Sequence, residues 1–233
     1  MIVDLTESHK ITERTVVVIS DVHGYLDKLN DVLEQVMGYG AQVVFVGDYI
    51  DRGPSGVEVL KLVRDMEYHP KDWGFSKVTA LLGNHEKMAL DAVEEETRPG
   101  LGSDGMSLWL HNGGRIEEFP AIRHDFSPWL RSLRTCYKHK TKVHFRGEPK
   151  SLLVTHGSID PSRSLEHQQR DTLVWGRSIR GWDSETVVVN GHTPCESGQP
   201  EVYNTDSGTV VRIDTGVCYG GDITGLLLEE CDS

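Results

Sequence analysis

The stretch that decides the fold lies near the start of the chain, where residues 15–24 read TVVVISDVHG. Its first half is a β-branched run without charge, which is typical of a buried strand. Its second half places an acid, an imidazole and a glycine directly after that strand. The next segment predicts an amphipathic helix, with apolar side chains on one stripe at Leu26, Leu29, Leu33, Val36 and Met37. The chain therefore begins as strand, polar loop and helix, the repeating unit of an α/β protein.

The same design recurs twice in the first half of the chain. An apolar run at 42–46 is followed by Gly-Asp-Tyr-Ile-Asp-Arg-Gly at 47–53, and a run at 77–82 is followed by Gly-Asn-His-Glu at 83–86. Ligands of open α/β sheets collect just beyond the carboxyl ends of the strands. We therefore expect all three polar clusters to meet in one crevice.

The second half of the chain is richer in strands, and two of them also end in polar clusters. Thr-His-Gly follows one strand at 155–157, and Asn-Gly-His-Thr follows another at 190–193. The pattern predicts an α/β fold in which two packed mixed sheets are flanked by helices, an α/β/β/α sandwich. The length of the chain fits a single domain over 1–233, with a possible small cap in the loop-rich segment 94–114.

Composition and charge exclude several classes of protein. The formal net charge is −12, whereas a protein that follows a nucleic-acid backbone usually carries a basic stripe. The most basic segment, 131–146, is interpreted as a solvated face, so no nucleic-acid partner is expected. No apolar run is long enough to cross a membrane, and no secretory signal opens the sequence. The four cysteines have no metal-type spacing, and we expect reduced thiols in a cytoplasmic protein without a membrane partner.

Together the five polar clusters offer carboxylate, imidazole and amide ligands for metal ions. Such mixed nitrogen and oxygen ligation suits Mn, Fe or Zn better than Ca. Taken singly, each cluster is more often a turn or a hydrogen-bonded side chain, and the prediction depends on their conjunction at strand ends. A carboxylate shared by two ions about 3.5–4 Å apart forms a clamp for displacement at phosphorus. The sequence therefore predicts a metal-dependent phosphoesterase.

The clusters at 21–24, 47–53 and 83–86 resemble the three signature motifs of the PPP family of serine/threonine phosphatases, including its small bacteriophage lambda-type and bacterial members. Further matches to the family lie at 112–114, 155–157, 167–169, 175–177, 190–193 and 213–216. The resemblance implies a calcineurin-like metallophosphoesterase fold. Ser20 stands where the family usually has glycine, and both residues are small.

The resemblance also implies a role for individual residues. One divalent ion would be held by Asp21, His23 and Asp48. The other would be held by Asp48, Asn84, His156 and His192. Mn is preferred, with Fe or Zn as alternatives, and a hydroxide between the ions would attack phosphorus directly. The remaining catalytic candidates are the general acid His85, its partner Asp51, and two phosphate-binding arginines, Arg52 and Arg177. Glu86 is expected to be structural.

Three functions are compatible with these residues. The first is a monomeric serine/threonine protein phosphatase that acts on phosphorylated proteins or peptides. The second is a dinucleoside polyphosphate hydrolase resembling diadenosine tetraphosphatases, a related family that typically has Ala at the position of Asp51 and Asp at that of Glu86. The third is an inactive module that binds phosphoproteins. Asp51 and Glu86 favour the first, and the complete set of ligands and acid argues against the third.

Overall fold

The strands of this chain form one continuous sheet. The computed structural model describes residues 1–6, 9–97 and 104–232. These ranges contain ten strands, namely β1 Ile2–Asp4, β2 Thr15–Ile19, β3 Gln42–Phe45, β4 Lys77–Ala80, β5 Cys136–Phe145, β6 Glu148–Thr155, β7 Thr186–Asn190, β8 Glu201–Thr205, β9 Gly208–Arg212 and β10 Gly225–Glu230. They also contain seven α-helices, namely α1 Leu26–Val36, α2 Gly56–Tyr68, α3 Asn84–Thr97, α4 Gly105–His111, α5 Phe119–Ala121, α6 Ser127–Ser132 and α7 Arg170–Trp175.

The sheet order is β4-β3-β2-β10-β5-β6-β7-β9-β8, with β1 paired to β10. Strands β2, β3 and β4 are parallel to one another, and so are β6, β7 and β9. The two halves are joined where β10 pairs with β5 through Glu229↔His144 and Glu230↔Val143. The predicted α/β fold with mixed sheets and flanking helices is confirmed. The structure adds that hydrogen bonds link the two halves at this short antiparallel ladder.

Alternate residues of each strand enter two different cores. In β2, Val16 and Val18 join a cluster made of strand residues from both halves, whereas Val17 and Ile19 pack with the helices. All five residues of β2 are buried. Burial on both faces explains why this strand is a continuous apolar run instead of an alternating one.

The segment after α6 differs from the sequence expectation. The local sequence predicts a helix from Pro128 to Tyr137, but α6 ends at Ser132 and β5 begins at Cys136. Between them Arg134 forms an isolated parallel bridge with Leu81, and its carbonyl accepts a hydrogen bond from the Leu82 amide at 2.8 Å. This tertiary pairing with the end of β4 replaces the local helix.

The possible cap at 94–114 lies partly outside the described residues, which omit 98–103. Of its remainder, α4 packs against α3, and a Cβ at Gly105 would meet the backbone of Asp91 at 2.8 Å. The single domain over 1–233 stays a prediction. Among the described residues, no helix is long and apolar enough to span a membrane.

Candidate metal centre

Most of the predicted site residues lie in loops that follow parallel strands, whereas Asn84 and His85 begin α3 and Arg177 follows α7. Five of them have positive φ angles: His23 at 48°, Asp48 at 54°, Asp51 at 72°, Arg52 at 68° and His192 at 66°. Such backbone is costly for non-glycine residues and persists where the surrounding structure enforces it. The strain is thus concentrated where five polar side chains are turned towards one another.

Two glycines allow these loops to approach closely. A Cβ on Gly83 would lie 2.2 Å from Oδ1 of Asp48, and a Cβ on Gly191 would lie 2.1 Å from Oδ2 of Asp21. No side chain fits at either position without displacing a carboxylate. The glycines in the motifs are therefore required by the close packing of candidate ligands.

Glu86 holds the loop after β3 in place. Its buried carboxylate accepts hydrogen bonds from the amides of Asp48 at 2.9 Å, Tyr49 at 2.7 Å and Gly83 at 3.1 Å. Burial, followed by the charge of Asp48, raises the pKa of Glu86 to about 7. Glu86 therefore fixes the backbone on which Asp48 projects, as its expected structural role requires.

Asp48, Asn84, His156 and His192 come together as predicted for one ion. Ligand atoms of Asp48, His156 and His192 all lie within 4.8 Å of one another. Oδ1 of Asn84 lies 2.9 Å from Nε2 of His156 and 2.7 Å from Nδ1 of His192. Nδ1 of His156 donates to the carbonyl of Val46 at 3.1 Å, which turns Nε2 towards the other ligands.

The set predicted for the other ion is arranged differently. Nε2 of His23 lies 3.6 Å from Oδ2 of Asp48, and Nδ1 of His23 donates to the carbonyl of Ile50 at 3.0 Å. The third member of the mutually close group is His85, not Asp21, because Nε2 of His85 lies 4.0 Å from Oδ2 of Asp48. Asp21 is buried nearby, and its Oδ1 accepts a hydrogen bond from the His192 amide at 3.0 Å.

The donor set fits divalent cations. Oδ2 of Asp21 and Nε2 of His192 are buried and have no hydrogen-bond partner among the described residues, which is costly unless another group satisfies them. Burial, followed by the charges of Asp214 and Asp48, raises the pKa of Asp21 well above its ordinary value. Burial lowers the pKa of His23 to about 3, which favours the neutral ring that coordinates metal. Positive charge placed between these groups would relieve the repulsion among the carboxylates.

His85 and Asp51 form a buried pair next to these ligands. Nδ1 of His85 lies 2.6 Å from Oδ2 of Asp51. Burial lowers the pKa of His85, but Asp48 and then Asp51 outweigh that effect, so its pKa is raised. The Trp109 indole donates to Oδ1 of Asp51 at 2.8 Å. Asp51 is thus held from both sides, and it orients the imidazole towards Asp48.

The two predicted arginines are exposed at the opening of the site. Nη1 of Arg52 lies 3.2 Å from Nε2 of His23. The pKa of His192 is lowered to about 3, first by burial and then by the charge of His156, against the opposing charge of Asp48. The charge of Arg177 also lowers this pKa, so its guanidinium lies within electrostatic reach of the ring. The arrangement places two cationic groups beside the candidate ligands.

Three residues at the site had no predicted catalytic or ligand role. Glu86 was expected to be structural, and Asp214 belongs to a matched motif to which no role was assigned. Asp214 is buried, and burial followed by the charge of Asp48 raises its pKa. The sequence predicts only a short helix around Trp109, and nothing in that segment indicates the hydrogen bond from its indole to Asp51.

Comparison with known proteins agrees with this geometry. The calcineurin-like phosphoesterase family matches residues 14–221. Serine/threonine-protein phosphatase 1 of Salmonella typhimurium is 31% identical over 226 residues, which cover 91% of this chain and 90% of the relative. The asymmetrical bis(5'-nucleosyl)-tetraphosphatase PrpE of Bacillus subtilis is 23% identical over 256 residues, which cover 93% and 91%. In fold, the chain is similar to a cold-active protein-tyrosine phosphatase of a psychrophile Shewanella, with a TM-score of 0.60, 20% identity, and coverage of 94% and 76%.

Fold and site together define a metal-dependent phosphoesterase. The chain belongs to the calcineurin-like phosphoesterase family, and its resemblance to PPP-family phosphatases is confirmed. Divalent metal ions are implied by the family and by the clustered histidine and aspartate side chains. Relatives named as protein phosphatases and as dinucleotide hydrolases both match along most of the chain. Membership therefore establishes the chemistry and leaves the substrate to be argued from the site.

Proposed function

We propose that this chain is a serine/threonine protein phosphatase that hydrolyses phosphomonoesters on phosphorylated proteins or peptides. The observation that carries the proposal is the buried pair of His85 and Asp51, with 2.6 Å between Nδ1 and Oδ2. A serine or threonine alkoxide is a poor leaving group and needs a proton as the bond to phosphorus breaks. A phosphate or nucleotide leaves from an anhydride without that help, so an oriented acid is most useful for an ester.

The ligands proposed for two divalent ions remain those expected from the sequence. One set is Asp21, His23 and Asp48, and the other is Asp48, Asn84, His156 and His192. Bound there, the ions supply Lewis-acid activation of a phosphate ester and of water. Mn is our preferred metal, with Fe or Zn as alternatives, because all three accept mixed nitrogen and oxygen ligands.

The protein's own residues supply binding and proton transfer. Arg52 and Arg177 bind phosphate oxygens through their planar guanidinium groups, which offer paired donors that lysine lacks. His85 donates the proton on Nε2 to the leaving oxygen. Asp51 accepts a hydrogen bond from Nδ1, keeps Nε2 on the side of Asp48, and stabilises the protonated ring.

A dinucleoside polyphosphate hydrolase is the second candidate, because relatives with that activity in their names align with more than nine-tenths of this chain. Such a hydrolase would share the metal ligands and would depend less on His85. A substrate comparison therefore separates the two functions.

The experiment compares kcat/KM for a phosphoserine peptide with kcat/KM for diadenosine tetraphosphate, using the metal-loaded wild-type chain and His85→Asn. We expect the peptide to be preferred and its turnover to fall about 100-fold or more in the variant, since general acids contribute about 10²–10⁴-fold. A strong preference for the dinucleotide would overturn the protein phosphatase. Absence of turnover on both substrates in the metal-loaded wild type would favour the inactive binding module.

A monomeric state and a cytoplasmic location are part of the same proposal. The location is supported by the cysteines, which form no disulfide among the described residues and so suit a reducing compartment; they are Cys136, Cys195, Cys218 and Cys231. Size-exclusion chromatography with light scattering tests the monomer, and a dimer at micromolar concentration would contradict it.

A further inference from the structure

The most basic segment of the chain lines a cleft that the proposed reaction does not use. This cation cleft has a volume of about 330 Å³, and its charged lining residues are Lys77, Arg134, Lys138, Lys140 and Glu230. Lys77 begins β4, Arg134 precedes β5, and Lys140 lies within β5. The cleft therefore lies beside the edge strand β4, where the chain after α6 crosses it.

The positive side chains of this cleft outnumber the carboxylates that could neutralise them. The carboxylate of Glu230 is engaged, since its Oε1 accepts hydrogen bonds from Nε2 of His139 at 2.7 Å and from Gln42 at 2.8 Å. Within the described ranges, Lys77, Arg134 and Lys140 form no ion pair with a carboxylate. This excess of positive charge stands out on a chain whose formal net charge is −12.

The same cations repel one another. Partial burial, followed by the charges of Arg134 and Lys140, lowers the pKa of Lys77. The Nζ atom of Lys77 lies 5.3 Å from the centroid of the Tyr137 ring, so it is directed over the wall of the cleft. These cations outnumber the one carboxylate that lines the cleft, Glu230, so they gain stability when an anion binds between them.

The cation cleft is separate from the metal centre. Lys77 stands at the amino end of β4, and Asn84 lies beyond its carboxyl end. At a rise of about 3.3 Å per residue, β4 alone puts roughly 10 Å between its two ends. A ligand in the cleft therefore does not occupy the place of the substrate's reacting phosphate.

We propose that Lys77, Arg134 and Lys140 form a second anion site that takes a phosphate group. The arginine offers a planar pair of donors and the lysines offer two point charges, the combination that binds phosphate oxygens. A cleft of about 330 Å³ has room for a phosphate and for part of the molecule that carries it. Two sources share this chemistry, the free phosphate ion and a phosphorylated side chain.

The test counts phosphate groups bound per chain by equilibrium dialysis at low ionic strength, where exposed charges are least screened. The probes are inorganic phosphate, a phosphopeptide in which a non-hydrolysable phosphonate replaces the phosphate of phosphoserine, and its unphosphorylated twin. The proteins are the metal-loaded wild type, the double variant Lys77→Ala with Arg134→Ala, the single variant Lys140→Glu, and the control Lys142→Ala. Lys142 is exposed on the same strand, faces Glu185 at 3.6 Å, and does not line the cleft.

We expect the wild type and the control to bind one more phosphate group per chain than the cleft variants. Turnover of an aryl phosphate by the cleft variants should stay within about twofold of wild type. Extra binding of inorganic phosphate identifies the free ion as sufficient, and extra binding of the phosphopeptide alone identifies a phosphorylated side chain. Equal binding to all four proteins, or extra binding that the unphosphorylated peptide matches, overturns the proposal. Lys140→Glu, a change at an exposed strand position, keeps the test decisive if the double variant does not fold.

Discussion

Trp109→Phe tests whether the indole positions the proton donor. The substitution removes the hydrogen bond from Nε1 to Oδ1 of Asp51, which measures 2.8 Å. It keeps an aromatic ring at a fully buried position whose neighbour Phe119 lies 5.6 Å away between centroids. The change therefore isolates the polar contact as far as one substitution can.

The loss of stability in Trp109→Phe can be predicted from the hydrogen bond that it removes. A hydrogen bond to a charged group contributes about 1.5–3 kcal/mol, and here its loss leaves one oxygen of a buried carboxylate without a donor. We expect the free energy of unfolding to fall by roughly that amount. Within the described part of the chain, Asp51 then retains only His85 as a side-chain partner, so the imidazole is less well oriented for proton transfer.

The assay compares kcat for a phosphoserine peptide with kcat for an aryl phosphate. A phenolate leaves without protonation, so we expect the peptide rate to fall about tenfold or more and the aryl rate to change by less than about threefold. Trp129→Phe is the matched control, because it removes an indole bond of 2.8 Å to the carboxylate of Glu67 away from the site. The control should lose stability without changing the ratio of the two rates.

Two outcomes would refute the reasoning about Trp109. One is an equal loss of both rates, which would indicate general damage to the site. The other is an unchanged ratio in Trp109→Phe at a temperature where the variant is fully folded, which would show that the indole does not act through Asp51.

Further substitutions test how the metal ligands are packed. Gly191→Ala places a Cβ 2.1 Å from Oδ2 of Asp21, so we expect metal affinity to fall at least tenfold in a metal titration; affinity equal to wild type would contradict the packing. Gly198→Ala is its control, since a Cβ there meets nothing within 4 Å and costs only the strain of positive φ, about 1–2 kcal/mol. Glu86→Gln puts an amide donor in place of one of the two oxygens that accept hydrogen bonds from the loop. We expect the free energy of unfolding in urea to fall by about 2–4 kcal/mol. A loss below about 0.5 kcal/mol would show that the carboxylate does not hold the loop.

The parts of the fold that sequence predicts best are the strands with a strong local signal. β2 and β7 are buried runs of β-branched residues, and each ends in a polar cluster with glycine. Adjacent residues indicate both the buried strand and the turn that follows it. The strand ends and the site loops could therefore be placed from sequence. β8 was not predicted, since Glu201–Thr205 is only partly buried and its polar residues show no clear alternation.

The parts that sequence does not predict depend on distant pairings. The segment before β5 is not helical, because Arg134 pairs with Leu81 in a parallel bridge. The bond from Trp109 to Asp51 joins residues that are 58 positions apart. The motifs predict that the six candidate ligands meet in one place, but they do not predict that His85, and not Asp21, is grouped with Asp48 and His23. Such distances depend on loop geometry, which spacing in a motif does not determine.

The metal content of the protein tests the central claim most directly. The purified chain is stripped with a chelator, titrated with Mn²⁺, and assayed for bound metal and for phosphatase activity at each step. The account predicts that activity reaches its maximum at two ions per chain, that Asn84→Ala weakens one of the two, and that Asp48→Asn weakens both. Full activity in the stripped protein, or a maximum at one ion per chain, would contradict it.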